Sequence, residues 1–215
     1  MQPEWHQHYT RNKSGLTYPD ENLVRLLAKN IKNAKGDDAQ TAVDIGCGSG
    51  RHLKLLYDFN IPNIIGTDIS LNALTLAAAL PAVKQKLILS DNKKLPIKDL
   101  SIDIAVAWGS LHYGTKDELP IMVKEIFRIL KTGGRFMGTL RSSRDTMLKK
   151  GRCLGNDVWQ TSLADIAGAT VSFFDKEELP DIFSRFKQFD FGLAERSMLG
   201  DTASIVSHWI FLAVK

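Results

Sequence analysis

The sequence predicts an α/β protein: a mostly parallel sheet covered on both faces by helices, with an antiparallel hairpin at its C-terminal edge. Three observations carry that expectation. From residue 21 to residue 140, short apolar runs alternate with segments of helical periodicity, as strands joined by helical crossovers do. The first apolar run ends in three glycines at alternate positions, Gly46, Gly48 and Gly50, and a helical pattern starts at Arg51. The chain then closes on two β-like runs, Gln188 to Met198 and Ala203 to Val214, separated by Leu-Gly-Asp-Thr.

Each element has its own signals. Asp20 caps a helix over 21–34, with Leu23, Val24, Leu26, Leu27 and Ile31 at helical spacing and Gly36 near its end. A strand over 41–46 is followed by a helix through Leu53, Leu55, Leu56 and Tyr57. Asn63 to Ile69 reads as the second strand, and Ser70 caps a Leu- and Ala-rich helix that stops by Pro81. Lys86 to Ser90 and Ile102 to Ala107 are strands three and four. Thr115 or Lys116 opens a helix through Leu130, closed by Lys131-Thr132-Gly133-Gly134 before a fifth strand, Arg135 to Leu140. Residues 142–170 are polar and contain glycine, with a basic cluster of Arg141, Arg144, Lys149, Lys150 and Arg152. They read as an insertion or substrate lid. Asp175 and Glu178 form a capping box for a helix over about 176–186.

Composition bounds the function. A chain of 215 residues, 44% hydrophobic and 24% charged, suits one soluble domain with a well-buried core. A net charge of +4 is too weak to demand a polyanionic partner. Cys47 and Cys153 lie far apart and form neither a metal-ligand nor a disulfide pattern, which points to a reducing, cytoplasmic setting. No basic-apolar leader and no run of membrane-spanning length is present in the sequence.

The chemistry gathers at the strand ends. A dinucleotide fingerprint would need its third glycine at position 51, which is Arg51. Here Asp44 precedes the glycine turn by two residues, an acid suited to an ammonium group, so the turn fits an amino-acid nucleoside. Strand two ends at Asp68, twenty-two residues after Gly46, where an acid accepts both hydroxyls of a ribose. Strand three ends in Ser90-Asp91-Asn92, an acid and an amide able to read an adenine edge. Strand four runs into Trp108-Gly109-Ser110-Leu111-His112-Tyr113, an aromatic-rich stretch beside the same cleft.

With these motifs in order, the chain resembles a class I S-adenosylmethionine-dependent methyltransferase of the small-molecule, type 11 kind. Val43 to Gly50 matches the family's first motif, Gly66-Thr67-Asp68-Ile69-Ser70 its ribose-binding acid, and Asp91-Asn92 its adenine contact. Leu130-Lys131-Thr132-Gly133-Gly134 matches the turn before strand five, with threonine in place of the usual proline. The resemblance implies a Rossmann-like sheet of seven strands. It implies S-adenosyl-L-methionine as cofactor and S-adenosyl-L-homocysteine as product, held by Asp44, Gly46, Cys47, Gly48, Gly50, Asp68, Ile69, Asp91, Asn92 and Trp108. It divides a single domain into an N-terminal lid and helix (1–35), a donor-binding core (41–140), an insertion or substrate lid (142–170) and a C-terminal helix and hairpin (171–215).

Methyl transfer is an in-line displacement in which the protein chiefly positions donor and nucleophile. A base is needed only for a protonated nucleophile, and His112 is the expected one. Tyr9, Tyr18, Tyr113, Arg141 and Arg144 are the expected substrate and lid residues, and no metal site is expected. The stretch after strand four, Ala107-Trp108-Gly109-Ser110, lacks the Asn/Asp-Pro-Pro-Tyr/Phe tetrad of exocyclic-amine and glutamine methyltransferases. It also lacks the glutamate pair of protein-arginine methyltransferases. The expected partner is therefore a small-molecule acceptor methylated at O or N, rather than nucleic acid or membrane, taken by a monomer or homodimer. The alternatives are an RNA or protein methyltransferase docking through 141–152, and a silent donor-binding subunit.

Overall fold

The computed structural model describes residues 3–10, 16–31, 40–80 and 85–215. A seven-stranded sheet holds them together: β1 (Thr41–Ile45), β2 (Asn63–Asp68), β3 (Gln85–Leu89), β4 (Ile102–Ala107), β5 (Leu130–Arg141), β9 (Gln188–Met198) and β10 (Asp201–Val214). Their spatial order is β3-β2-β1-β4-β5-β10-β9. The first five strands run parallel, and β10 lies antiparallel to both β5 and β9. A smaller antiparallel sheet contains β6 (Gly151–Gly155), β7 (Val158–Thr161) and β8 (Thr170–Ser172).

Alternation along the strands explains the two covered faces. Val43, Ile45, Ala105, Ala107 and Phe136 pack with α5 (Glu118–Ile129) and α6 (Leu179–Ile182). Ala42, Ile104, Val106 and Met137 pack with Leu23 and Leu27 of α2 (Glu21–Asn30), Leu53 and Leu56 of α3 (Arg51–Asp58), and Leu74 and Ala77 of α4 (Leu71–Ala78). Asp20 caps α2 by accepting from Asn22 N at 2.9 Å, and Ser70 caps α4 by accepting from Ala73 N at 3.3 Å. The expected continuation of α2 to residue 34, with Gly36 and Pro81, lies outside the described residues.

Several boundaries differ from the sequence expectation, each for a local reason. α5 starts at Glu118 rather than Thr115 or Lys116, because Glu118 reaches back to accept from Thr115 N and Pro120 sits in the first turn. β5 begins at Leu130: the Lys131-Thr132-Gly133-Gly134 turn stays within a strand that is irregular against β4 between Ile102 and Ile104. The capping box at Asp175 and Glu178 is present, but it opens a 3₁₀ turn followed only by α6, not a helix to 186. Phe183 and Phe186 turn instead into an aromatic cluster with Phe136, and Phe183 also packs on Phe189 and Phe211.

The stretch 142–170, expected as an insertion or substrate lid, contains β6, β7 and a 3₁₀ turn (Ala164–Ile166). Asp145, fully buried, accepts from Arg141, Leu148 N and Ser207 N and so ties the chain after β5 to β10. The small sheet then folds back, bridging Val171 to Tyr113. An N-terminal helix, α1 (Pro3–His8), lies between the two sheets' ends. Asn72 of α4 donates to His6 O at 3.0 Å, His8 Nδ1 meets Asp165 O at 3.0 Å, and Trp5 packs edge-on against Tyr113. Among the described residues no helix is long and apolar enough to cross a membrane.

Candidate active site

The glycine turn leaves β1 with Gly46, Gly48 and Gly50 all at positive φ, at +69°, +54° and +89°. Side chains rarely adopt that backbone, and here they would also lack room. A Cβ on Gly46 would overlap Ser110, and one on Gly48 would overlap the Tyr9 hydroxyl. Asp68 fixes the turn from the end of β2. One of its oxygens accepts from Gly48 N at 2.9 Å and the other from Ser70 N at 2.8 Å. Burial raises the Asp68 pKa, and these backbone donors oppose the rise.

Asp44 is the electrostatic anomaly of the site. It is 1% exposed, and neither carboxylate oxygen has a hydrogen-bond partner among the described residues. Burial pushes its pKa up to about 7, with the Arg51 guanidinium pulling the other way and Asp68 adding to the rise. A buried carboxylate without a hydrogen-bond partner is costly; Arg51 offsets part of that cost, and a ligand cation is a second group that would. The ammonium end of S-adenosylmethionine supplies one. The residues present fit that cofactor: the glycine turn, which lines both cavities, and Asp44, buried at its base and lining neither, would hold it.

Two adjoining cavities open from the turn. The first, of about 90 Å³, is lined by Gly46, Asp68, Ile69, Asp91 and Asn92, as expected for a nucleoside, together with Trp5, Tyr9 and Tyr113. Ser110, from the stretch after β4 expected beside the cleft, lines it too, whereas sequence reasoning missed Lys93, Glu118 and Met122 on its wall. Lys93 bridges Asp91 at 3.4 Å and Glu118 at 2.5 Å, a pairing across 25 positions that no local motif announces. Asp91 also accepts from Lys93 N at 2.9 Å, so it shapes its turn as well as lining the cavity.

The second cavity, of about 690 Å³, shares Trp5, Tyr9, Gly46, Gly109 and Tyr113 with the first. It receives the expected residues Cys47, Gly48, Trp108 and Arg141. It also receives His52, Arg196 and His208, which the sequence reading did not single out. Burial holds the pKa of His52 down to about 3, aided by Arg51, and His52 Nε2 is buried without a partner. Burial, Arg141 and Arg196 hold His208 near 3 as well. Both imidazoles are neutral at physiological pH.

Other expected residues stand apart from both cavities. His112 is 1% exposed and lies behind the wall, its ring 6.0 Å from that of His208. Gly50 caps α3 as a left-handed residue packed on Ala77 and Leu80. Tyr18 is 83% exposed and contributes its carbonyl to Arg51. Arg144 pairs with Glu195 on the surface. The basic cluster is dispersed in the same way: Lys149 pairs with Asp157, Lys150 donates to Ser204, and Arg152 meets Gln160.

This fold and this site are similar to those of class I, S-adenosylmethionine-dependent methyltransferase domains. The methyltransferase domain family matches residues 43–138. Mouse mitochondrial arginine-hydroxylase NDUFAF5 is 34% identical over 105 residues, which is 48% of this chain and 29% of that protein. A probable tRNA methyltransferase 9B from Bos taurus is 30% identical over 95 residues, 44% of this chain and 20% of that protein. The chain thus spans less than a third of either curated relative. The structure of a SAM-dependent methyltransferase from Methanosarcina mazei shares the fold, with a TM-score of 0.69 at 19% identity over 88% of this chain and 96% of that one. Residues 43–138 are thus similar to a methyltransferase domain, and the chain shares its fold with a protein described as a SAM-dependent methyltransferase.

Proposed function

We propose that this protein, as a cytoplasmic monomer or homodimer, moves a methyl group from S-adenosylmethionine to an oxygen or nitrogen of a small molecule. The observation that carries this reading is the second cavity. At about 690 Å³ it has the size of a small-molecule chamber, and it meets the donor cavity along Trp5, Tyr9, Gly46, Gly109 and Tyr113. A macromolecular acceptor would call for an open, charged face. The basic segment suited to that role is instead engaged with Asp145, Glu195 and Asp157.

The bound cofactor supplies an activated methyl group. The chain's residues supply position: Asp44 and Asp68 fix the donor end, and Trp108, Tyr113 and Gly109 separate it from the chamber. For a nucleophile that arrives protonated, the reading keeps proton removal within the histidine pair. His208 meets the acceptor from the wall, and His112 lies behind it. The test is incubation with methyl-labelled S-adenosylmethionine and, in parallel, small O and N nucleophiles, total RNA and unfolded protein. Label in the small-molecule fraction is expected. Label confined to RNA or protein, or no transfer at all, would overturn the reading.

A further inference from the structure

The register of the C-terminal strands brings together residues that lie far apart in sequence. His208 of β10 pairs with Arg141 of β5 on one side and with Ala194 of β9 on the other. Val206 pairs with Arg196, and Ile210 with Thr139. Paired residues share a face, as do residues two apart, so Thr139, Arg141, Ala194, Arg196, Val206, His208 and Ile210 all project to one side. All seven line the second cavity. Arg141 and Arg196 thus flank His208, with their backbones roughly 12 Å apart by strand spacing and rise.

The charges on this wall do not balance. The titratable groups lining the chamber are Asp20, Arg51, Arg141, Arg196, His8, His52 and His208, with Cys47, Tyr9 and Tyr113 beside them. Arg51 faces Asp20 and Asp44. Arg141 gives one Nη to the buried Asp145 at 2.5 Å and also interacts with Tyr113, while its Nε is buried without a hydrogen-bond partner among the described residues. Arg196 joins no ion pair among the described residues, and His52 and His208 offer no negative charge. Two guanidiniums on one cavity wall, one shared with Asp145 and the other exposed and outside any ion pair among the described residues, are the recognition chemistry of a carboxylate or phosphate. Trp108, Met147, Ile166, Val206 and Ile210 give the same chamber an apolar body.

We infer that the acceptor is an organic anion, an apolar molecule whose carboxylate or phosphate is held between Arg141 and Arg196 beside His208. This rests on the methyl-transfer reading above and names the class of its acceptor. Burial is the main cause that holds the His208 imidazole low, with Arg141 and Arg196 adding to it, and an anion seated there offsets only the arginine contribution.

The test uses the full chain, with and without S-adenosylhomocysteine, titrated with benzoate, with inorganic phosphate and with benzamide as the neutral counterpart of benzoate. At least one anion is expected to bind, with benzamide about tenfold weaker than benzoate or worse. Arg196→Gln is expected to weaken the anion about tenfold. Arg141→Gln should do the same, but it also strips a partner from buried Asp145, so Arg196→Gln decides the matter if that variant does not fold. Equal binding of benzamide and benzoate, no binding of either anion, or indifference of anion binding to Arg196→Gln would overturn the inference. If S-adenosylhomocysteine does not bind, the donor reading falls, while the titration without it still decides whether the chamber takes anions.

Discussion

The two halves of the cleft are built differently. The donor half takes its functional groups from the carboxyl ends of β1, β2 and β3, each within a few residues of its strand, and Gly48 N donates to Asp68 across that end. The acceptor half is assembled across β5, β10 and β9, where Arg141, Arg196 and His208 meet only because of strand register. The donor half depends on backbone conformation and a buried charge. The acceptor half depends on long polar side chains over a sheet face. Substitutions in the two halves should therefore fail in different ways.

The largest effect is expected from Gly48→Val. Its Cβ would meet Tyr9 at a positive φ, so S-adenosylhomocysteine binding should vanish while circular dichroism stays native. Unchanged calorimetric affinity would remove the glycine turn from the donor site. Next, Asp44→Asn should weaken donor binding roughly a hundredfold, since it deletes one partner of a buried charge pair worth about 3 kcal/mol or more. Full affinity in this variant would leave the lone carboxylate without a function.

These donor residues are also the ones the sequence discloses. Glycines at alternate positions, an acid two residues before them and a second acid at the end of the next strand are local spacings, and the fold keeps them adjacent. The acceptor wall has no such signature. Arg196 and His208 sit in ordinary β-strand sequence, and their meeting with Arg141 is set by a register that a bulge between Asp201 and Ile205 shifts. The basic cluster around Arg141 misled for the converse reason. Neighbours in sequence, they are separated by Asp145, Glu195 and Asp157 drawn from elsewhere. His112 follows strand four as expected, yet its ring turns behind the wall that His208 occupies.

Smaller effects sharpen the contrast further. Asp68→Ala should cost donor binding about tenfold, from lost charged hydrogen bonds of about 1.5–3 kcal/mol. It should also loosen the turn, because Gly48 N and Ser70 N lose their acceptor. Wild-type affinity would break the ribose assignment. The smallest change is expected from Arg144→Ala, which removes an exposed ion pair with Glu195 and should leave melting temperature and donor affinity unchanged. A marked loss of turnover there would return the 142–152 segment to the acceptor site.

The charge on Asp44 offers the most direct measurement. Its folded pKa, near 7, lies above the ordinary carboxylate value of 3.8, so the free protein holds a proton on Asp44 that the bound ammonium must displace. The same proton makes Asp44 stabilise the free fold as pH falls below 7, a gain complete by the unfolded value and lost as pH rises through 7. Donor affinity has the opposite slope. Calorimetric titration with S-adenosylhomocysteine from about pH 5.5 to 7.5 should show binding that tightens as pH rises, nearly tenfold per unit below 7, and a flat profile in Asp44→Asn. No binding at any pH, or a wild-type profile as flat as the variant's, would contradict the assignment of this buried carboxylate to the donor.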